Sequence, residues 1–583
     1  MDDFKISGQV ADAPFTLTLH RGEGMCLLAM NWRDDQPPPD DFVGFMIEFR
    51  EPQAAGDTSP AKWWTLNNRL SFTDASKITD KSQLSTRLSP IQKFRWIHFP
   101  YAAGLAGLYS YRVTPVFMSA SDELSYGTAQ TADVALKRET YPDALDIGFT
   151  RGFVSSQAFV DNFADGSGSV NALIPPGATS GDTGLTFTST DPKAGEAYAW
   201  MGFEAREAIL DLLDAAIADS TAQVRLIAYD FDLADVYERV LKLKGRIQVI
   251  IDNSGSHKKA GSAENTAETL LDTALGSGNV LREHCGGLQH NKFIVATGAV
   301  NRAVCGSTNF SWRGFYVQNN NAVTIRGATA IKPFLDAFNA YWEAVDSPAK
   351  FEQEGLGAWS ELPLGVEGLD AQLCFSPHAP DTARLQEIAE DITKTSSSLL
   401  YSLAFLYQTP GPILDAIAGV TKAKDRFVYG ISDRAITKGG LDVTTPDGNT
   451  LPVYPSALSK NVPSPFKDEP TGGPGIRMHH KFVVIDFDKP TARVYVGSYN
   501  FSSVADTSNG ENLLVIRDRL ATTAFMVEAL SMFDHYHFRI VAGQANANAP
   551  LVLAKPPSGD AKPWFDPDYT VEYKIRDRQI FSA

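Results

Sequence analysis

Two short stretches of the sequence carry the same reactive residue types in the same order. The first reads His290-Asn291-Lys292 and then Gly306-Ser307-Thr308-Asn309. The second reads His479-His480-Lys481 and then Gly497-Ser498-Tyr499-Asn500. The histidines stand 189 positions apart, and each asparagine follows its histidine by 19 residues in the first stretch and 21 in the second. A lysine, an asparagine and a serine from each stretch supply positive charge and hydrogen-bond donors. Such a set suits the non-bridging oxygens of one phosphate, with Ser307 and Ser498 among the phosphate-binding groups. Two histidines facing each other across that phosphate permit covalent catalysis. One attacks phosphorus as the neutral imidazole, and the other, as imidazolium, protonates the leaving oxygen. Water activated by the second histidine then releases the phosphoenzyme. The lysines carry the charge that Mg²⁺ would otherwise supply, so the expected chemistry uses no metal and no other cofactor. A lone His-x-Lys or Gly-Ser-x-Asn is commonplace; both together, twice, at near-equal spacing, are not.

The elements around these residues are duplicated as well. Each His–Lys pair opens an apolar run, and the period of two in a strand puts both side chains on one face. The Gly-Ser-x-Asn closes the neighbouring strand, where small residues let a ligand approach the backbone. Upstream, Leu185-Thr186-Phe187 matches Leu373-Cys374-Phe375, and an amphipathic helix follows each. Ile209, Leu212, Leu213, Ala216 and Ile217 mark the first helix; Leu385, Ile388, Ala389 and Ile392 mark the second. Apolar strands come next at 224–229 and 399–405, then at 246–251 and 426–431, with helical segments at 333–343 and 523–533. Strands alternating with helices predict an α/β architecture, and two copies predict a pseudo-twofold pair of lobes, at 140–355 and 356–583. The second lobe ends in a tail from Gln544 that is expected to pack over it. Asp252 and Asp433 follow matched strands and are candidates to face the site. The Pro/Gly-rich stretch 461–475, just ahead of the second histidine, is a candidate lid.

Residues 1–139 read differently. Alternating runs at 15–19 and 107–113, aromatic runs at 42–49 and 94–99, and turn clusters between them predict a β-sandwich. The Gly107-x-Tyr109-x-Tyr111-x-Val113 pattern resembles a late strand of fibronectin type III or immunoglobulin-like domains. At 583 residues the chain is too long for one core, and 43% hydrophobic with 21% charged residues is ordinary globular composition. The four cysteines, scattered without a C-x-x-C pair, predict neither a disulfide framework nor a zinc cluster. His479-His480 and His535-Tyr536-His537 have no nearby cysteine and predict no metal site, and Lys258-Lys259 reads as a solvated loop. No run reaches the apolar length of a membrane helix, and the acidic N-terminus lacks the form of a secretory leader. The expected location is therefore a reducing cytoplasm. A net charge of −17 repels a polyanion from the chain as a whole.

The combined pattern resembles the signature of the phospholipase D superfamily, His-x-Lys-x₄-Asp followed by Gly-Ser-x-Asn. The resemblance spans residues 140–545. It implies two α/β lobes sharing one active site, with His290, Lys292 and Asn309 from one lobe and His479, Lys481 and Asn500 from the other. It also implies a phosphohistidine intermediate and no metal cofactor. Family members cleave phospholipids, nucleic acids or related phosphodiesters, and some transfer the phosphatidyl group to alcohols. The first copy has Thr297 where the signature has Asp; the second keeps Asp486, included among the site residues. Downstream, Asn509-Gly510-Glu511-Asn512 resembles the ending found in the bacterial endonuclease Nuc and its relative Zucchini, where this Glu orients the motif histidine. The matching residue of the first copy is Asn320. If each such residue serves the histidine of its own lobe, Glu511 keeps His479 protonated as the acid and leaves His290 as the nucleophile.

The expected function is a phospholipase D-type phosphodiesterase, with a phospholipid headgroup favoured by the acidic chain. A metal-independent nuclease is the alternative, favoured by the Asn-Gly-Glu-Asn ending. Intact His, Lys and Asn positions in both copies argue against a non-catalytic binding protein. A nuclease needs a basic, aromatic-lined groove, and a lipase needs an apolar entrance that can meet a membrane peripherally. The N-terminal module is a candidate for a protein or surface partner, and two motif copies in one chain predict a monomer.

Overall fold

The computed structural model describes residues 4–53, 56, 58–74, 78–152, 163, 173–175, 183–433, 478–544 and 551–582. The candidate lid at 461–475 lies outside them. Nine strands come first: β1 (Lys5–Ser7), β2 (Phe15–Arg21), β3 (Cys26–Trp32), β4 (Phe42–Arg50), β5 (Trp64–Thr65), β6 (Arg95–His98), β7 (Leu108–Met118), β8 (Leu124–Tyr126) and β9 (Gln130–Ala135). They form one sheet in the order β1-β2-β3-β6 and another in the order β5-β4-β7-β8, with β9 pairing on β7. Alternation along the strands sends Phe15, Leu17 and Leu19 of β2, Phe45 and Ile47 of β4, and Tyr109, Tyr111 and Val113 of β7 into one buried core. The runs read from the sequence at 15–19 and 107–113 are thus strands with one face inward.

Two seven-stranded sheets follow. The first contains β10 (Leu145–Phe149), β11 (Val224–Ala228), β12 (Ile247–Asp252), β13 (Val280–Glu283), β14 (Phe293–Ala296), β15 (Arg302–Gly306) and β16 (Asn321–Arg326). The second contains β17 (Ser360–Glu361), β18 (Asp370–Ser376), β19 (Ser398–Leu403), β20 (Phe427–Ile431), β21 (Lys481–Ile485), β22 (Arg493–Gly497) and β23 (Glu511–Arg517). The orders are β10-β16-β15-β14-β11-β12-β13 and β17-β18-β23-β22-β21-β19-β20. Six strands therefore correspond one to one, β10 with β18, β16 with β23, and so on to β12 with β20.

That correspondence corrects one expected match. Leu185 lies in a short helix, Thr183–Thr186, and the partner of β18 is β10, which precedes it in the chain. A short Leu-x-Phe repeat carried the sequence match; hydrogen bonding to the strand after the Gly-Ser-x-Asn decides the true one. Both sheets are apolar on both faces, as buried sheets require. The inner faces, with Phe293 and Val295 of β14 and Phe482 and Val484 of β21, share one core together with helices Lys332–Ala344 and Arg519–Gln544. Helix Ala194–Ala218 covers the outer face of the first sheet, and helices Leu385–Thr393 and Pro412–Ala423 cover that of the second. No helix among the described residues is long and apolar enough to cross a membrane.

The C-terminal tail joins the modules rather than covering the second alone. Trp564 Nε1 donates to Phe42 O (3.1 Å), and Arg578 Nη1 donates to Asp35 Oδ1 (3.0 Å) of the N-terminal module. Tyr429 of β20 donates its hydroxyl to Asp577 (2.5 Å). All four cysteines are free and buried.

Candidate active site

Each motif histidine is held by the opposite half of the molecule. His290 Nδ1 lies 2.7 Å from Glu511 Oε2, at the start of β23, and His479 Nδ1 lies 2.8 Å from Asn320 Oδ1, just ahead of β16. The backbone repeats the exchange: His290 N donates to Gly510 O (2.9 Å) and His479 N to Asn319 O (3.0 Å). The expected pairing of Glu511 with His479 is therefore wrong. The reason is local. Parallel bridges Gln289↔Gly510 and Asn319↔Met478 stitch the strand ends of the two halves together, so the residue after each bridge meets the other half's histidine. The residues between His and Lys are exchanged likewise. Asn512 Nδ2 donates to Asn291 Oδ1 (2.9 Å), and Asn321 Nδ2 lies 3.1 Å from His480 Nδ1. His480 also reaches Glu528 (3.1 Å), so it belongs to the packing behind the site.

The lysines lie beside their histidines. Lys292 Nζ donates to His290 O (2.5 Å), while Lys481 Nζ donates to His479 O (2.9 Å) and stands 3.1 Å from His479 Nε2. Tyr229 packs its ring 4.7 Å from that of His290 and under the Lys292 ammonium; Phe405 sits in the corresponding place beside His479 and Lys481. All four charged or chargeable groups are buried. Burial lowers His290 below the usual histidine range, partly offset by Glu511. Burial and the two lysines push His479 well below it. Burial also lowers Lys292 to about 8 and, with Lys292 beside it, pushes Lys481 well down. An anion beside these groups would favour their charged forms.

Three further motif residues make structural contacts. Ser307 and Ser498 bond the neighbouring strand through their hydroxyls. Ser307 Oγ donates to Asn320 Oδ1 (2.9 Å) and accepts from Asn321 N (3.0 Å), and Ser498 Oγ accepts from Asn512 N (3.0 Å). These bonds tie the two serines to the residues that hold the histidines. Asp486 lies beyond the far end of β21, about 16 Å along the strand from Lys481 at ~3.3 Å per residue. Its carboxylate accepts from the N–H groups of Ser396, Ser397 and Ser398 and from Ser396 Oγ, tying down the turn before β19. In the first half Asp219 takes over that duty from another position, accepting from Thr221 N and Ala299 N, which explains how Thr297 can replace the aspartate.

Asp252 and Asp433 occupy equivalent positions immediately behind the motifs. Asp252 Oδ1 accepts from Gln289 N (2.7 Å) and Asp433 Oδ1 from Met478 N (3.2 Å), the residues preceding the two histidines. Asn309 Nδ2 donates to Asp230 Oδ2 (2.6 Å), and its Oδ1 has no partner among the described residues; nor has Asn500 Oδ1.

Sequence reasoning missed Asp230, His257 and Glu264, which crowd the first half of the site. His257 Nδ1 lies 2.8 Å from Asp252 Oδ2, and its Nε2 lies 3.3 Å from Asp230 Oδ1. Burial opposes its protonation, but the hydrogen bonds to Asp230 and Asp252 prevail and raise it to about 10. Potential ligand atoms of Asp230, His257 and Glu264 fall within 4.8 Å of one another. When protonated, His257 is itself the cation between these carboxylates, and a metal bound there would have to displace its proton. The usable signal was Tyr229-Asp230 at the end of β11, set against Ala404-Phe405 after β19. Lys258 and Lys259 are exposed in the loop after β12.

Residues 213–342 and 388–535 match the family model described as cardiolipin synthase, PLD-like domain, one segment containing each motif. The chain belongs to the phospholipase D superfamily. No curated protein matches this phospholipase D-like chain significantly. Among solved structures it is similar to phosphatidylserine synthase from Haemophilus influenzae Rd KW20, at 14% identity over 58% of this chain and 85% of that one, with a TM-score of 0.39. It is similar also to Nuc of Salmonella typhimurium, a phospholipase D family member, at 19% identity over 30% of this chain and 95% of that one (TM-score 0.17). A mutant of yeast tyrosyl-DNA phosphodiesterase 1 matches at 12% identity over 56% of this chain and 88% of that one (TM-score 0.29).

Proposed function

We propose that this phospholipase D-like chain hydrolyses a phosphodiester, with a phospholipid headgroup as the favoured substrate, through a phosphohistidine and without a metal. The crossed anchoring of His290 and His479 carries this reading, because it supports one buried centre made of two imidazoles and two ammonium groups. With its Nδ1–H given to Glu511, His290 keeps the Nε2 lone pair for attack. Attack forms the Nε2–P bond and breaks the bond to the leaving oxygen, which takes a proton from His479. Positive charge appears on the His290 ring in this step, where the Glu511 carboxylate stabilises it; it disappears from His479, which faces only a neutral amide. The nucleophile is thus His290 on grounds of charge development, whereas the sequence argument rested on a pairing that does not exist. In the second step His479 takes a proton from water, which attacks phosphorus and frees His290.

Lys292, Lys481, Asn309 and Asn500 bind the non-bridging oxygens in this scheme. The bound anion restores the charge that burial suppresses on the lysines and on His479. A net charge of −17, with Asp230 and Glu264 beside the site, disfavours a nucleic-acid polyanion and favours a single small diester. The alternative, a metal-independent nuclease, rests on the Asn509-Gly510-Glu511-Asn512 ending. Residues 1–139 are read as a fibronectin III or immunoglobulin-like module that meets a partner or surface. Residues 140–355 and 356–583 are read as the pseudo-twofold lobes of a cytoplasmic monomer. Parallel turnover of phosphatidylcholine vesicles and of single- and double-stranded DNA, with EDTA present, tests the function. Cleavage of DNA alone would replace the lipid reading, and activity restored only by added metal would remove the metal-free mechanism.

A further inference from the structure

At the end of β10 lies a cavity of about 300 Å³, bounded by the N-terminal module, the start of the first α/β half and helix Arg519–Gln544. This is at the low end of the roughly 300–1,000 Å³ typical of ligand pockets. Met25, Ile97, Phe149 and Met532 give it an apolar wall. Arg151 lines it while being only 4% exposed. Phe99 (3.7 Å) and Phe203 (3.8 Å) clamp its guanidinium on adjacent sides, their ring centres 5.7 Å apart. On one edge, Nε and Nη2 have no hydrogen-bond partner among the described residues. These two N–H groups form the parallel fork that pairs with a carboxylate or phosphate.

An arginine stays charged in a protein, and a buried unpaired charge is expensive. Burial depresses Arg151 to about 9, offset only in part by Glu204 and by Glu528, which also lines the cavity. Glu204 does not serve as its counter-ion, because burial and the neighbouring Glu23 and Asp146 push Glu204 well above the usual carboxylate range. The clamp is itself built at a cost. Phe203 has φ 41° and ψ −136° inside helix Ala194–Ala218, a strained conformation for a non-glycine residue. Gly24 makes room for its ring: a Cβ there would stand 2.2 Å from Phe203 Cζ. In the same cavity Asn319 Oδ1 is buried with no hydrogen-bond partner among the described residues, ready to accept from a hydroxyl.

We propose that this cavity binds an amphiphile with a carboxylate or phosphate head and an aliphatic tail, the head on the free fork of Arg151 and the tail along Met25, Ile97, Phe149 and Met532. The site is separate from the motif histidines, yet Asn319 joins them: its carbonyl accepts the His479 N–H (3.0 Å).

Equilibrium titration calorimetry on the full chain tests this with dodecanoate, dodecyl phosphate, inorganic phosphate and dodecanol, the amphiphiles kept below their micellar concentrations. The two dodecyl anions are expected to bind and to raise Tm, with inorganic phosphate and dodecanol at least tenfold weaker. Their relative affinities tell a free fatty acid from a phospholipid head. Arg151→Met should weaken both anions at least tenfold, and Met532→Trp, which fills the tail region, should do the same. Unchanged binding to Arg151→Met overturns the proposal. So does inorganic phosphate binding as tightly as dodecyl phosphate, or a wild-type protein that ignores dodecanoate. If Arg151→Met fails to fold, equal affinity of the wild type for dodecanoate and dodecanol overturns it alone. The readout is binding, so it stands apart from the identity of the diester hydrolysed at the histidines.

Discussion

Replacing Glu511 by glutamine separates the charge of this residue from its shape. The carboxylate oxygen is 2.7 Å from His290 Nδ1, and both groups are buried. A positive charge centred on the ring is roughly 4 Å from the carboxylate, and at an effective permittivity near 20 the attraction is about 4 kcal/mol. Glutamine can still accept the Nδ1–H bond through its carbonyl, so the lost quantity is mostly this charge term, reduced by local relaxation to about 2–4 kcal/mol. If His290 is the nucleophile, that energy is lost as the Nε2–P bond forms. Phosphoenzyme formation should then slow roughly 30- to 1,000-fold. The assay is rapid-quench kinetics on a nitrophenyl diester and on an alkyl diester, with the modified peptide located by mass spectrometry under non-acidic quench. Glu511→Gln should slow both substrates alike, because charge on the nucleophile develops whatever the leaving group. The phosphoryl group should be found on the peptide containing His290. His479→Ala, in contrast, should be partly rescued by the nitrophenyl leaving group, which needs no proton. Should the nitrophenyl ester rescue Glu511→Gln, or the label sit on His479, the roles are reversed and the charge argument fails.

His290→Ala and His479→Ala should each abolish nearly all turnover of ordinary diesters, and the double variant should be no worse, since groups acting as a unit are non-additive; half-activity in either single would mean two separate sites. Asp486→Ala should leave kcat/KM per folded molecule within about twofold while lowering stability by about 2–4 kcal/mol, as several hydrogen bonds to the turn at 396–398 are lost; denaturant melts and active-site titration separate the two. Because burial lowers both motif histidines, the general acid gains its proton only below the ordinary value of 6.5, and kcat/KM should rise as pH falls toward 6; a profile flat from pH 6 to 8 would contradict this. Stability should move the other way. Burial lowers His20 to about 4 and His98 to about 3, so the folded state binds fewer protons than the unfolded chain, and stability present above pH 6.5 is lost as pH falls toward those values. His257, raised to about 10, contributes stability below pH 6.5 that fades as pH climbs to 10; urea melts across pH 4–10 should show both flanks.

Residue types and spacing alone pick out the candidate reactive groups and their frames. His-x-Lys ahead of an apolar run can only be a strand entrance with both side chains on one face, and the run's β-branched residues make it a buried one. The duplication gave two sheets of matching strand order, and alternation gave the inward faces of the N-terminal strands. They misassign Leu185, because a short Leu-x-Phe likeness says nothing about which strand is hydrogen-bonded beside it. What tertiary structure alone decided is how the halves are joined. Glu511 and Asn320 sit at equivalent points in the chain, and no spacing rule tells whether such a residue reaches its own histidine or the other. Two parallel bridges between strand ends settle it in favour of the other, and with that the only carboxylate touching a motif histidine among the described residues goes to His290. Ser307 and Ser498 read as phosphate binders and Asp486 as a site residue from the linear motif. In space the serines bond the strands that follow them, and Asp486 bonds the turn before β19. The Arg151 cavity leaves no trace in the sequence, since its walls come from segments hundreds of residues apart that meet only when the N-terminal module packs on the α/β halves.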